Sequence, residues 1–336
     1  MLSAGLVDLQ VNGFAGVDFN STALTPDALD HALDAMLRTG VTTCLPTLIT
    51  ASEAALAARL AALDAAVADS RLGPLMVPGY HLEGPFLSAR DGYTGCHPPE
   101  AMVAPNAGLI ERIEAGLRRP ILLLTLAPEL AGAEALIRWC RARGKIVALG
   151  HTAAGPAEIA AAVAAGATLS THLGNAAARI QHKFDNPITA QLAEDGLAAS
   201  FIADGLHVPP FALKAMIRAK GFSRSILVTD ATAAAAAPAG RYDFAGMTVE
   251  RTAAGEVRAP CSAVLAGSAL TLDQAVRNLA VWGIAGADEA IRMASDHPAR
   301  ALHPALEAHG AGLPHTQITW SDGLTPSTIR LHNLMV

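Results

Sequence analysis

Short apolar runs rich in β-branched residues alternate along this chain with longer alanine-rich stretches of helical periodicity. Eight runs are predicted to be β-strands: residues 5–11, 41–48, 75–82, 121–127, 145–151, 167–173, 198–204 and 225–231. The stretches between them, such as 25–40 and 130–144, carry apolar residues at helical spacing and end in glycine. Eight alternating β/α units predict a closed (β/α)8 barrel of the TIM type rather than an open doubly wound sheet.

The pattern changes after the eighth predicted strand. Residues 231–239 are rich in alanine and contain a proline, so we expect a loop over the barrel mouth rather than a helix. Residues 241–265 resemble a hairpin-like insertion, and Ser268 is the predicted N-cap of an amphipathic helix. The predicted organisation is one catalytic barrel over residues 1–300, followed by a C-terminal tail over residues 301–336.

Polar segments follow directly on five of the predicted strands. They are HLEGP at 81–85, GHT at 150–152, THLGNA at 171–176, ADGLH at 203–207 and TDA at 229–231. Because the C-terminal ends of parallel barrel strands meet at the face that carries the active site in barrel enzymes, these segments are expected to face one pocket.

Three residues of these segments form a candidate metal site. Glu83, His151 and His172 supply a carboxylate and two imidazoles, a donor set that holds a hydrolytic metal ion and leaves a position open for water. Asp230 and His207 remain for proton transfer and for polarisation of a substrate carbonyl.

Each of these residues also has a purely structural interpretation. A histidine at a strand end is commonly a hydrogen-bonded structural group. Glu83, beside Gly84 and Pro85, is compatible with a turn, and Asp230 with a cap of the following segment. Five such residues on five strand ends of one barrel favour a shared catalytic site instead.

Composition and charge narrow the class of protein. The net charge of −6 without blocks of like charge argues against nucleic acid or an anionic membrane as a partner. No apolar run approaches the roughly 20 residues of a membrane span, and the N-terminus lacks the pattern of a signal peptide. The cysteines are scattered without CxxC spacing, so we expect reduced thiols in a cytoplasmic protein. These cysteines are Cys44, Cys96, Cys140 and Cys261.

Six segments carry a family resemblance. HLEGPF, GHT, THLGNA, IADGLHV, LVTDATA and LAGSALTL are similar to signature segments of the N-acetylglucosamine-6-phosphate deacetylase family, in the amidohydrolase superfamily. The similarity runs from about Gly5 to Arg300. It implies a (β/α)8 barrel that removes acetate from an N-acetylated amino sugar such as N-acetylglucosamine 6-phosphate.

The same resemblance implies roles for individual residues. Glu83, His151 and His172 would hold the metal, and Asp230 would act as general base and acid. His207 would contact the scissile carbonyl and help to stabilise the oxyanion.

Substrate contacts are implied as well. His97, in GCHPP, matches an element whose histidine would contact the sugar. Asn175 and Ala176 match the segment whose backbone contacts the anionic end of the substrate.

The first predicted strand bears on the number of metal ions. Many amidohydrolases have HxH there and hold two metals, whereas this chain has Gln10 and Asn12, whose neutral amides are poor ligands for a second divalent ion. Some members of the deacetylase family share this QxN pattern and use one metal. We therefore expect one divalent ion per subunit, Zn²⁺ in the first place and Fe²⁺ as the alternative.

The chain departs from the family after THLGNA. An Arg-Glu-Pro-Gly element usually follows there, and its arginine binds the sugar phosphate; here the segment is AARIQHKFDNPIT. Lys183 or Arg179 would have to replace that arginine, and a lysine lacks its planar fork. The alternatives are an unphosphorylated N-acetyl sugar, another N-acyl small molecule, or a catalytically silent barrel that only binds sugar.

The ends of the chain depart from the family too. Members usually have a β-rich leader that pairs with the C-terminal segment as a small sandwich, whereas this chain starts almost at the first barrel strand. We expect the small β domain to be reduced or missing, with residues 301–336 as its remnant. Apolar surface left by that loss favours a homo-oligomer, a dimer or a tetramer.

Overall fold

The computed structural model describes residues 1–259, 264–332, 334 and 335. In this part of the chain, eight parallel strands lie side by side in sequence order and form a nearly closed barrel. The barrel strands are Leu6–Val11, Val41–Ile49, Tyr80–Glu83, Ile121–Leu126, Ile146–Leu149, Leu169–Ser170, Ala198–Ile202 and Ser225–Val228. The predicted (β/α)8 fold is confirmed.

The helices between the strands pack around the outside of the barrel. Side-chain caps stabilise the first turns of the first two helices, since Thr25 accepts a hydrogen bond from the Ala28 amide and Ser52 accepts one from the Ala55 amide. The α-helices are Pro26–Arg38, Glu53–Asp69, Gly73–Met76, Ala107–Glu114, Ala133–Ala142, Pro156–Ala165, Pro187–Ala193, Pro210–Lys220, Leu272–Val281, Ala287–Ala294 and Asp296–Ala308, and Pro99–Ala101 and Phe222–Arg224 are 3₁₀-helices.

The first and last barrel strands meet at a seam with few backbone bonds. Above the strand ends, the Asp230 amide donates to the Gln10 carbonyl at 2.9 Å, and the Asn12 amide donates to the Ala231 carbonyl at 2.7 Å. Lower in the barrel, the buried Asp8 carboxylate accepts from the Thr229 hydroxyl at 2.6 Å. The seam therefore closes beside the predicted base, Asp230.

Most barrel strands are shorter than the apolar pattern predicts. The third begins at Tyr80 rather than at 75, because Gly73–Met76 forms a helical turn that uses the same apolar residues to pack on the barrel. The sixth comprises only Leu169–Ser170 instead of 167–173. His151, His172 and Asp230 therefore lie just beyond their strand ends, where the backbone can turn, whereas Glu83 is the last residue of its strand.

The region after the barrel is largely as expected. Residues 231–239 contain no helix, and an antiparallel sheet of Gly240–Phe244, Met247–Arg251 and Val257–Arg258 occupies the predicted insertion. The predicted N-cap was wrong. Thr271 precedes the helix Leu272–Val281, whereas the Ser268 hydroxyl donates to the Thr229 carbonyl at 2.6 Å and so supports the end of the eighth strand.

The two ends of the chain meet in a four-stranded antiparallel sheet. The strand Leu2–Ser3 pairs with Thr316–Trp320, which is followed in the sheet by Pro326–Leu331 and Leu334–Met335. The boundary predicted at residue 300 falls within the helix Asp296–Ala308, so the C-terminal tail begins as a helix packed on the barrel.

Two further expectations concern membranes and thiols. No helix in the described ranges is long and apolar enough to cross a membrane. Cys44, Cys96 and Cys140 are free thiols, and Cys261 lies outside the described residues.

Candidate active site

Three of the predicted site residues share an unusual backbone conformation. His151, His172 and Asp230 have φ angles of 50°, 29° and 49°, in the left-handed region that non-glycine residues rarely adopt. Each lies two residues beyond the end of its barrel strand. Such strain is typical of functional sites held by the surrounding fold. Here it turns three polar residues at the barrel mouth, where they line one cavity.

Glu83 is the centre of the polar cluster. Its Oε1 atom lies 2.9 Å from Nε2 of His172 and 3.3 Å from Nε2 of His151, while Oε2 lies 3.5 Å from Nε2 of His97. Burial alone would raise the pKa of Glu83, but its contacts with the three histidines outweigh it and hold the pKa well below its usual range. Glu83 is therefore a buried carboxylate that stays ionised among imidazoles.

Candidate ligand atoms of Glu83, His97 and His151 all lie within 4.8 Å of one another, close enough to share one ion. His172 contacts the same carboxylate, so the structure brings four side chains together where the sequence predicted three ligands. A carboxylate oxygen and imidazole nitrogens suit a divalent transition metal. The chemistry of the donor set thus fits the metal that the sequence implies.

The hydrogen-bond partner of Nδ1 indicates which ring nitrogen carries the proton in His151 and in His97. Nδ1 of His151 lies 3.0 Å from the Tyr93 carbonyl, which can only accept, so the proton is on Nδ1 and the lone pair is on Nε2, facing Glu83. A Cβ at Gly95 would lie 3.0 Å from Cε1 of His151, so glycine allows the loop to approach this ring. By contrast, Nδ1 of His97 accepts from the Thr50 amide at 3.4 Å, which places the proton of the neutral ring on Nε2.

Asp230 lies beside this cluster at the barrel seam. Gln10 Nε2 donates to both carboxylates, at 3.0 Å to Glu83 and 3.3 Å to Asp230. Asn12 Nδ2 donates to Asp230 Oδ1 at 2.8 Å. Burial, and then the negative charge of Glu83, raises the pKa of Asp230 to about 6. A carboxyl group in that range can both accept and return a proton near neutral pH.

His207 is held by a carboxylate of its own. Nδ1 of His207 lies 2.6 Å from Oδ2 of Asp204, and Oδ1 of Asp204 accepts from the His207 and Leu206 amides at 2.9 and 2.8 Å. Burial would raise the pKa of Asp204, but its bonds to His207 outweigh this and lower it. The ionised Asp204 keeps a proton on Nδ1 of His207 and leaves Nε2 for a substrate.

A cavity of about 710 Å³ at the barrel mouth is lined by two carboxylates and four histidines of the site: Glu83, Asp230, His97, His151, His172 and His207. Asn175, Ala176 and Arg179 also line it. The first two are predicted substrate contacts, and Arg179 is one of the two candidate cations. Lys183 is not part of the lining, and its Nζ lies 5.3 Å from the centroid of the exposed Phe184 ring. Of the two residues that could replace the missing arginine, Arg179 therefore lies at the cavity and Lys183 does not.

Sequence reasoning missed several contributors to the site. Thr50 and the Tyr93 carbonyl orient His97 and His151, and Phe244 of the insertion lines the cavity. None of these three contributors has a local signal in the sequence, because each contact depends on segments that are distant in the chain. Asp204 is different, since it lies three residues before His207 in the segment ADGLH and an i, i+3 carboxylate–histidine pair could have been recognised.

Parallel barrel strands with carboxylates and imidazoles gathered at their C-terminal ends define an enzyme of the metal-dependent hydrolase class. The profile of the amidohydrolase family matches residues 1–305. The chain therefore belongs to the amidohydrolase family.

Individual relatives narrow the comparison. The chain is 36% identical over 304 residues to an N-acetylgalactosamine-6-phosphate deacetylase of Escherichia coli O157:H7, covering 90% of this chain and 78% of the relative. It is 34% identical over 286 residues to an N-acetylglucosamine-6-phosphate deacetylase of Bacillus subtilis, covering 83% of this chain and 69% of the relative. The curated relatives thus include deacetylases of both amino sugar phosphates.

Solved structures agree with this family. The N-acetyl-D-glucosamine-6-phosphate deacetylase of Mycobacterium smegmatis superposes with a TM-score of 0.88 at 30% identity, over 100% of this chain and 87% of that chain. A mutant of the M. smegmatis enzyme in complex with N-acetyl-D-glucosamine-6-phosphate gives a TM-score of 0.88 at 28% identity, over 99% and 86% of the two chains.

Proposed function

We propose that this protein hydrolyses the acetamide of an N-acetylated amino sugar 6-phosphate, giving acetate and the free amine. The observation that carries the proposal is the buried Glu83 carboxylate among imidazoles, with the Asp230 carboxylate linked to it through one Gln10 amide. The family membership and the deacetylase relatives support the same reaction.

Glu83, His151 and His172 would hold one divalent ion. His151 presents a lone pair on Nε2, and His172 contacts Glu83 through Nε2, whereas the proton on Nε2 of His97 suits a hydrogen-bond donor to substrate better than a ligand. We propose Zn²⁺, with Fe²⁺ as the alternative for this donor set. When bound, the ion supplies a Lewis acid and lowers the pKa of water.

Asp230 would act as the general base and then as the general acid. It takes one proton from the attacking water while the water oxygen bonds to the acetyl carbon. It then returns that proton to the sugar nitrogen as the carbon–nitrogen bond breaks, leaving acetic acid and the amine. His207, held through Nδ1 by Asp204, would contact the carbonyl oxygen through Nε2 and help to stabilise the negative charge that develops there.

The remaining cavity would accommodate the sugar and its phosphate. His97 would contact the sugar, and Asn175 and Ala176 line the region that we propose for the anionic end. Arg179 lines the cavity, so it is the stronger candidate for the phosphate cation, and Lys183 is the weaker one. An arginine suits phosphate through its fork of donors, which favours a phosphorylated substrate.

The experiment is acetate release from N-acetylglucosamine and N-acetylgalactosamine, each with and without the 6-phosphate. We expect kcat/KM to be higher for the phosphorylated sugars by at least about tenfold, the contribution of one charge-assisted contact. Equal values for both forms would favour the unphosphorylated alternative. No turnover of any N-acyl substrate by metal-loaded protein would favour the silent sugar-binding barrel.

Assembly and location complete the proposal. Several large apolar side chains are exposed, among them Ile180, Phe184, Phe211 and Val281. Burial of this surface against a second copy supports a homo-oligomer, a dimer or a tetramer. We also propose a cytoplasmic location, in keeping with the free thiols. Sedimentation as a monomer at micromolar concentration would contradict the oligomer.

A further inference from the structure

Polar side chains at the end of the first barrel strand bind Asp230, the proposed base, and its neighbour Thr229. Asp8 and Gln10 occupy alternate positions of this strand, so their side chains point to the same side, and Asn12 follows one residue beyond the strand end. All three are buried, and each bonds to the end of the eighth strand. Asp8 holds Thr229, while Gln10 and Asn12 hold the Asp230 carboxylate.

The nitrogen and the oxygen of the Asn12 side-chain amide differ in their hydrogen bonding. Its Nδ2 atom donates to Asp230 Oδ1 at 2.8 Å. Its Oδ1 atom is buried and has no hydrogen-bond partner among the described residues, although Asn12 lines the cavity. A buried acceptor without a partner is unfavourable, so an acceptor of this kind commonly has a ligand or a water as its partner.

Asp230 determines which way this amide points. An ionised carboxylate can only accept, so the NH₂ group of Asn12 must face it, and the amide oxygen is turned away. Both amide donors, from Gln10 and Asn12, bind Oδ1 of Asp230. In the described part of the chain, no hydrogen bond to Oδ2 of Asp230 is found, so Oδ2 is the oxygen left to receive a proton.

We propose that Asn12 is a positioning residue for the nucleophilic water. Its NH₂ group fixes Asp230 so that Oδ2 faces the water, and its Oδ1 accepts the second O–H of the same water. One hydrogen is thereby directed at the base and the other at a neutral acceptor, which turns a lone pair of the water oxygen towards the acetyl carbon. The inference rests on the proposed hydrolysis and adds to it the orientation of the nucleophile.

A double-mutant cycle tests this coupling. Asn12→Leu keeps a similar volume and removes both polar ends, so we expect kcat to fall about 10²-fold with little change in KM, the usual cost of a misplaced reactant. In the Asp230→Asn protein, the charge that fixes the Asn12 amide is gone, and Asn12→Leu should then lower the residual kcat by less than about twofold. Equal losses in both backgrounds would overturn the proposal.

A matched control separates this role from support of the fold. Asn20 is also a buried asparagine of the barrel mouth, but both ends of its amide bind backbone, at 3.0 Å to the Thr47 carbonyl and 3.1 Å from the Ile49 amide. Asn20→Leu should lower the melting temperature while kcat stays within about threefold, because it leaves buried backbone groups unpaired and does not touch Asp230. If Asn12→Leu behaves in the same way, Asn12 is only structural.

A second measurement does not depend on turnover. In a crystal structure of the metal-loaded wild-type protein, we expect one water within hydrogen-bond distance of both Asn12 Oδ1 and Asp230 Oδ2. Metal content, measured in all four proteins of the cycle, should be equal. A water bound elsewhere, or an Asn12 amide with its oxygen on Asp230, would refute the proposal. Failure of the wild-type protein to release acetate would instead refute the proposed function.

Discussion

Asp204 holds His207 through a hydrogen bond of 2.6 Å between Oδ2 of Asp204 and Nδ1 of His207. Both side chains are largely buried, at 9% and 8% exposure, so water competes little for this bond. The carboxylate therefore controls which ring nitrogen carries the proton and which nitrogen faces a substrate.

Removal of the Asp204 charge should impair catalysis. We expect Asp204→Asn to lower kcat/KM about 10- to 100-fold, as for other carboxylates that orient a functional histidine. The exposed Asp195, which pairs with Arg224, provides the control, and Asp195→Asn should leave kcat/KM unchanged. Steady-state kinetics check this result, and an unaltered kcat/KM in Asp204→Asn would show that the pair does not orient His207 for the reaction.

Metal removal should abolish activity and stoichiometric Zn²⁺ or Fe²⁺ should restore it. Glu83 contacts both His151 and His172, so Glu83→Gln removes the charge around which the site is built. We expect this variant to lose metal in elemental analysis, with an affinity at least about 10-fold lower. A purified wild-type protein that turns over without any divalent metal would contradict the proposed site.

The Asp230 carboxylate should govern the acid limb of the pH profile. Its pKa is raised to about 6 by burial and by Glu83, and a base must be deprotonated to accept a proton. The rate should therefore fall as the pH drops through about 6, and a bound cation would move this limb to lower pH. Asp230→Asn should lower kcat by roughly 10²- to 10⁴-fold while metal stays bound. Retention of full activity would show that another group is the base.

Substitution of Arg179 and of Lys183 tests which of the two cations contacts the substrate phosphate. Because Arg179 lines the cavity and Lys183 does not, Arg179→Ala should raise KM for the phosphorylated sugar by about tenfold, and Lys183→Ala by much less. Neither change should affect an unphosphorylated N-acetyl sugar. The reverse order of effects would assign the phosphate to Lys183.

The sequence predicted the barrel well because each strand and helix carries its own periodicity. The position of Glu83, His151, His172 and Asp230 at the barrel mouth was predicted for the same reason, since a polar residue after an apolar run predicts a strand end. The pairing of His97 with Thr50, or of Asp8 with Thr229, depends on how distant segments meet, which no local pattern reports. The Ser268 error has this origin, because its hydroxyl serves the neighbouring strand instead of the helix that follows.

Asp8 should make stability depend on pH. It is fully buried, and burial raises its pKa from 3.8 to about 7, although hydrogen bonds from Thr229 and Gln10 oppose the shift. The folded protein thus binds this proton more tightly than the unfolded chain. Its contribution is complete below the unfolded pKa of 3.8 and is lost as the pH rises through about 7.

The comparison of Asp8→Asn with the wild-type protein isolates this contribution. An asparagine cannot ionise, so the melting temperature of the variant should decline less between pH 5 and pH 8, a range that spans about 7. The exposed Asp322 serves as the control, and Asp322→Asn should follow the wild-type curve. Parallel curves for Asp8→Asn and wild type would mean that Asp8 stays ionised in the folded barrel.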